Sequence, residues 1–285
     1  MASLISVGQV LDQSLEHCRK HYKELLALVL WMVVASIPSV VGKLLAPTGG
    51  DSALTSGDWL SFAFSLIGAV LVVVISVWMY ATLTLTIAEQ ADGKKINLKT
   101  LSKQGWNVFG KYLLLTICLG LVFIGITAIT APGYILLFVG SIGDSSSVLS
   151  ALGTPLFFIG ILTTLYLLIK YSIELAFAPY ILLLEKTNVP EAMKNSIALV
   201  RGRWLKTAVR FIIPKILYFF ALFIINYVVF TALEMFMAII MRSSSFGVLA
   251  IYTVSLLLSA LMSSIITPLV IATDYYLYES LRKTR

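Results

Sequence analysis

Six long apolar runs govern what this chain can fold into. They extend from about Lys23 to Leu45, Trp59 to Glu89, Lys111 to Pro132, Pro155 to Glu185, Trp204 to Ile240 and Val248 to Tyr278. A helix crosses the hydrocarbon core of a bilayer with roughly 20 mainly apolar residues, and each run reaches that length. The longer ones extend into the headgroups or tilt. The chain is 59% hydrophobic and 12% charged over 285 residues, more apolar surface than one soluble core can hide. The expected fold class is therefore an all-α polytopic membrane protein with six transmembrane helices. The opening residues lack the short apolar core and cleavage site of a secretory leader, so the first run is expected to act as its own insertion signal. The loops APTGGDSALTSGD, GSIGDSSSVLSALGT and RSSSFG separate outward from returning runs, and APGY at Ala131–Tyr134 is expected to end or kink the third helix.

Charge orients the spans. Arg19, Lys20 and Lys23 precede the first run; Lys94, Lys95, Lys99, Lys103 and Lys111 separate the second from the third. Lys186, Lys194, Arg201, Arg203, Lys206 and Arg210 lie around the junction of the fourth and fifth, and Arg282, Lys283 and Arg285 end the chain. These are 17 of the 21 basic residues; only Lys43 and Arg242 fall on the other side, with Lys170 and Lys215 inside runs. The positive-inside rule puts both termini in the cytoplasm, the expected location being the cytoplasmic (inner) membrane. The net charge of +7 then belongs to one membrane face, which argues against nucleic acid as a partner.

A related segment precedes each outward run: LDQSLEHCRKHY (Leu11–Tyr22), LSKQGWNVFGKY (Leu101–Tyr112) and MKNSIALVRGRW (Met193–Trp204). Their positions 1, 5, 8 and 12 share one helical face: Leu11, Leu15, Cys18, Tyr22; Leu101, Gly105, Val108, Tyr112; Met193, Ile197, Val200, Trp204. Ser6 with Gln9 suits a capping box, Asn97 suits an N-cap and Pro190 suits a first helical turn. Returning runs end on Glu89, Glu185 and Asp274, acids expected to pair with the neighbouring basic segments. The pattern reads as three parallel repeats, about 6–92, 97–187 and 190–285, within a single membrane domain at 1–285. Each is an interfacial amphipathic helix plus a transmembrane hairpin.

The segments AMKNSIALVRGRW, APGYIL and PLVIATDYYLYESLRK resemble the membrane domain fused to some glycerophosphoryl diester phosphodiesterases, and its stand-alone six-span prokaryotic relatives. The resemblance covers most of the chain. It implies a membrane domain without the catalysis, because in that family the phosphodiester chemistry belongs to a separate soluble barrel that this chain lacks.

The side chains that stand out are few. Lys170 and Glu174 interrupt the fourth run at the i,i+4 spacing of one helical face, 15 and 11 residues before Glu185. Charge at mid-membrane costs roughly 2.5–3.5 kcal/mol, so the pair is expected to face the bundle, as a packing pair or as a polar site. Ser259 and Ser263 recur with Ser255 and Thr267 every four residues, as a close-packing face or a cavity lining. Candidate headgroup contacts are Arg19, Lys111, Lys194, Arg201, Arg203 and Trp204. His17 and His21 share a face without a surrounding ligand set, so no metal and no cofactor is expected. No H-E-x-x-H, G-x-S-x-G or phosphate-binding glycine loop appears, so no catalytic residue is assigned. The leading expectation is a non-catalytic protein that engages membrane lipids or organises a membrane complex. The alternatives are a transporter or channel-like protein using Lys170/Glu174, and, least favoured, a membrane-embedded enzyme.

Overall fold

The computed structural model describes residues 4–45, 56–94, 96–142, 146–240 and 245–284, and these are helical, without a strand. Five helical stretches among the described residues are long and apolar enough to cross a membrane: Tyr22–Gly42, Trp59–Ala91, Leu98–Ser141, Val148–Leu184 and Trp204–Leu233. The sixth expected span falls on α10 (Ser245–Lys283), where many side chains, including those of Ser255, Ser259 and Ser263, lie outside the described residues, as does that of Glu234. The chain divides into two units, Met1–Phe109 with Val209–Thr284, and Gly110–Ala208.

In the first unit, α1 (Val7–Lys20) opens on the expected capping box: Gln9 N–H donates to Ser6 Oγ at 3.2 Å and Ser6 N–H to Gln9 Oε1 at 2.9 Å. After one break at His21, α2 (Tyr22–Leu44) pairs with α3 (Ser56–Ala91). Gly93, at φ +71°, ends α3: its N–H reaches Gln90 C=O, and Lys94 N–H reaches back to Glu89 C=O at 3.1 Å. This is a Schellman closure, which needs a residue at ease in the left-handed region. α4 (Leu98–Thr127) starts with Asn97 Oδ1 accepting from Lys99 N–H. The interior side chains gather at one end of these helices: Leu25 and Val29 on α2, Leu83 and Ile87 on α3, Leu277 and Leu281 on α10. Further along α3, Phe62, Leu66, Val70 and Val73 are exposed. A helix apolar all round but covered at one end is suited to lipid along the rest.

In the second unit, α4 ends at Thr127 and passes through a 3₁₀ turn, Ala128–Thr130, into α5 (Ala131–Ile142), so the α-helix ends just before Pro132 as expected. The Gly/Ser-rich stretch after it, expected as a loop, is mostly helix: α5 continues to Ile142 and α6 (Ser146–Glu174) resumes at Ser146. Its small residues serve contact rather than turning. A Cβ on Gly153 would lie 2.9 Å from Leu137 N, one on Gly140 would lie 2.8 Å from Ser150 Oγ, and one on Gly133 would meet the Phe157 backbone. Only glycine lets α5 and α6 approach this closely.

The fourth run also departs from expectation. It is not one helix to Glu185: α6 stops at Glu174 and α7 (Ala178–Leu184) starts afresh, while Pro155 sits inside α6. Pro179 is the cause. It has no N–H for the Leu175 carbonyl, and its ring crowds that carbonyl. Ala178 N–H turns to Leu175 C=O at 3.1 Å, and the Glu174 carbonyl accepts instead from Ser196 Oγ on α8 (Val189–Val200) at 2.6 Å. Pro190 stands in the first turn of α8, as expected. A turn at Gly202 (φ +81°) leads to α9 (Trp204–Ile240).

Candidate functional site

The three related segments do not behave alike. The first and third are separate helices, α1 and α8, but the second is continuous with its span in α4. Their buried faces differ too. On α1 the protein covers Val10, Ser14 and His17; on α8 it covers Ala192, Ser196 and Leu199, the equivalent positions. Both sets sit one residue ahead of the expected stripe, although Val200 of that stripe is buried as well. In the second segment Leu101 and Gly105 are buried as the stripe required. The shift has a physical reason. Serines at positions 14 and 196 bond to other helices, so the small polar residue faces protein, and the adjacent Leu15 and Tyr22 stay exposed. Arg19, Lys111, Lys194 and Arg201 are exposed; Arg203 is half-buried, its Nε donating to Leu199 C=O at 3.4 Å. The Trp204 indole N–H is buried without a hydrogen-bond partner among the described residues.

Lys170 and Glu174 are both half-buried, and no ion pair joins them within 4.0 Å. The Lys170 ammonium lies 5.6 Å from the ring of Tyr171. Because α6 ends at Glu174, Lys170 stands one turn from a helix terminus rather than in the middle of a continuous span. The side chains of Ser259 and Ser263 lie outside what the structure describes.

A polar cluster that the sequence reading passed over lies in the first unit. Lys215 on α9 reaches Asp274 on α10 at 2.9 Å, with the two side chains 19% and 13% exposed. The approach is close but not aligned as a hydrogen bond. The same ammonium lies 3.1 Å from the centre of the Phe211 ring, a contact that offsets part of the lost hydration. One turn along α9, the Tyr218 hydroxyl meets Ser14 Oγ on α1 at 2.7 Å. The expectation that Asp274 pairs with a neighbouring basic segment is thus replaced by a partner within the adjacent apolar helix.

His17 ties three helices together. Its Nε2 lies 2.9 Å from Gln90 Oε1 on α3, and its Nδ1 lies 2.9 Å from the Tyr276 hydroxyl on α10. An amide oxygen only accepts, so Nε2 carries the proton and Nδ1 accepts from Tyr276. Burial holds His17 below the ordinary histidine value; the Gln90 hydrogen bond opposes this, and the nearby His21 and Lys20 add to it. Its ring stands 5.1 Å from that of His21, but both its nitrogens are engaged, which leaves none for a metal. Burial also pushes the Cys18 thiol up to about 12, so it is no nucleophile at neutral pH. Among the described residues no group of three or more His, Cys, Asp or Glu could hold a metal ion.

One signal in the sequence pointed to Lys215: it was one of two lysines inside apolar runs, and such a charge needs a counterion. Its partner lies 59 positions along the chain on another helix, which spacing within one helix does not reveal.

Comparison with known families places residues 5–279 under a family described as a domain of unknown function, DUF7847. No curated protein and no solved structure matches.

Proposed function

We propose that this chain, which belongs to the DUF7847 family, is a non-catalytic multi-pass membrane protein that engages lipids, or organises a complex, at the cytoplasmic face of a prokaryotic inner membrane. In this reading it has six spans in three parallel repeats with both termini inside, akin to the membrane domain associated with glycerophosphoryl diester phosphodiesterases. The observation that carries it is the pairing of exposed apolar and exposed basic side chains at the starts of the spans. Leu15 and Tyr22 flank Arg19 and Lys20; Trp106 lies between Lys103 and Lys111; Leu205 follows Arg201. Apolar side chains that no part of the chain covers, set beside cations, suit a boundary where acyl chains meet anionic headgroups.

The test is lipid retention. Basic residues near an anionic surface contribute about 1 kcal/mol each, so replacing Lys194, Arg201 and Arg203 with Gln lowers retention of phosphatidylglycerol by on the order of a hundredfold. Native mass spectrometry of the detergent-solubilised chain measures this, with helicity and unfolding temperature unchanged. Retention equal to that of the unaltered chain overturns the proposal.

A second reading, transport of an ion or small solute, is favoured by one observation: the buried Lys215–Asp274 pair bridges two long apolar helices, and charges there serve transport pathways as well as packing.

A further inference from the structure

A groove of about 480 Å³ lies where the start of α1 crosses the end of α10. Its walls carry Gln9, Gln13, Tyr276, Glu279 and Lys283. The walls are fixed: Ile5 N–H donates to Ser280 Oγ at 3.0 Å, strapping the chain ahead of α1 to α10. The Tyr276 hydroxyl is committed to His17, which leaves its ring as the surface available to the groove.

We infer that this groove binds a zwitterionic group carrying an ammonium beside a phosphate, of the phosphoethanolamine type. Glu279 and Lys283 stand one helical turn apart at 3.2 Å, and Arg282 reaches the same carboxylate at 3.5 Å. The Lys283 side chain is 75% exposed, and an exposed pair at this spacing is held weakly and opens readily. A ligand bearing both charges replaces both partners at once, ammonium to Glu279 and phosphate to Lys283. A purely anionic ligand would face the Glu279 carboxylate, and a purely cationic one would face Lys283. Donors for the phosphate oxygens are at hand across the groove. Among the described residues Gln9 bonds through its Oε1, for the α1 cap, and Gln13 has no hydrogen-bond partner. The Tyr276 ring suits the ammonium. The volume falls in the range of small-molecule sites, about 300–1,000 Å³.

The same chemistry occurs in an aminophospholipid headgroup and in a free metabolite. The lipid source rests on the membrane reading above, under which the groove opens at the cytoplasmic surface; the free source does not. The experiment uses the full chain in maltoside micelles, with phosphatidylethanolamine, phosphatidylglycerol and O-phosphoethanolamine as probes, read by native mass spectrometry and calorimetric titration. Phosphatidylethanolamine is retained at least tenfold more than phosphatidylglycerol at this groove, and Glu279→Gln and Lys283→Gln each remove that preference. Gln13→Ala, on an exposed position that does not threaten the fold, weakens binding severalfold, and Lys99→Gln leaves it unchanged. Competition by O-phosphoethanolamine identifies the free compound as sufficient. Binding of the lipid without such competition makes the membrane the source, and both results support the site. Equal phosphatidylethanolamine retention in the unaltered chain and in folded Glu279→Gln and Lys283→Gln variants overturns it. The Lys194, Arg201 and Arg203 variant fails or succeeds independently of these, so loss of one proposal is distinguishable from loss of the other.

Discussion

Lys170 and Lys215 each interrupt a long apolar helix, yet only one has an acid within reach. Lys170 has Glu174 one turn along its own helix, and the two stay apart. Lys215 has no acid nearby in sequence and sits 2.9 Å from Asp274. The difference lies in what surrounds them. Lys215 lies against Phe211 and an adjacent helix, where an unpaired charge is costly, so the fold supplies a partner. Lys170 is half-buried one turn before α6 ends, and there the backbone break makes the stronger demand. The carbonyl of Glu174, rather than its carboxylate, is the group that receives a partner, from Ser196.

The largest expected effect tests the Lys215 side of this contrast. Asp274→Asn leaves a buried ammonium without its anion, a loss of about 3–5 kcal/mol, and Lys215→Met strands the carboxylate in the same way. Lys215→Met combined with Asp274→Asn recovers most of the stability. Thermal unfolding of the four variants in one detergent measures the coupling, and additive losses would show that the two charges do not act together.

An intermediate effect separates a buried neutral partner from a buried ion pair. Burial lowers the His17 value, so the unfolded chain takes up that proton first as pH falls. The contribution of His17 to stability is fully present above the ordinary histidine value of 6.5 and is lost as pH drops through the lower folded value. The unfolding temperature therefore declines below pH 6.5, and His17→Gln flattens that decline. An unchanged slope in the variant would assign it to other groups.

The smallest effect belongs to the Lys170 side. Lys170→Met and Glu174→Gln should combine additively, with a coupling under about 0.5 kcal/mol, the size of an exposed helical pair. A coupling of several kcal/mol in the same unfolding assay would erase the contrast.

Local chemistry was legible in the sequence. The Ser6/Gln9 capping box, the Asn97 cap, Pro190 in a first turn and the helix end before Pro132 each depend on residues within a few positions, and each is found where it was expected. Five of the six apolar runs coincide with helical stretches fit to cross a membrane. What depended on other helices was not legible. Pro179 lies inside the apolar run expected to continue to Glu185, and its missing N–H is what divides that run. The buried faces of α1 and α8 were displaced by one position because Ser14 and Ser196 have hydrogen-bond partners far along the chain. Hydrophobic spacing marks an amphipathic helix well, but it does not distinguish the side facing protein from the side left for lipid.

The close glycine contact of α5 and α6 has a thermal consequence. Between helices in lipid, association gains little from expelling water, because the surroundings are as apolar as the side chains; it comes from atoms touching. With Gly133, Gly140 and Gly153 letting the backbones meet, bulky residues such as Phe138 and Phe158 are turned outward. Burial that relies on water weakens in the cold, whereas contact of this kind does not. On cooling, this hairpin should hold its geometry.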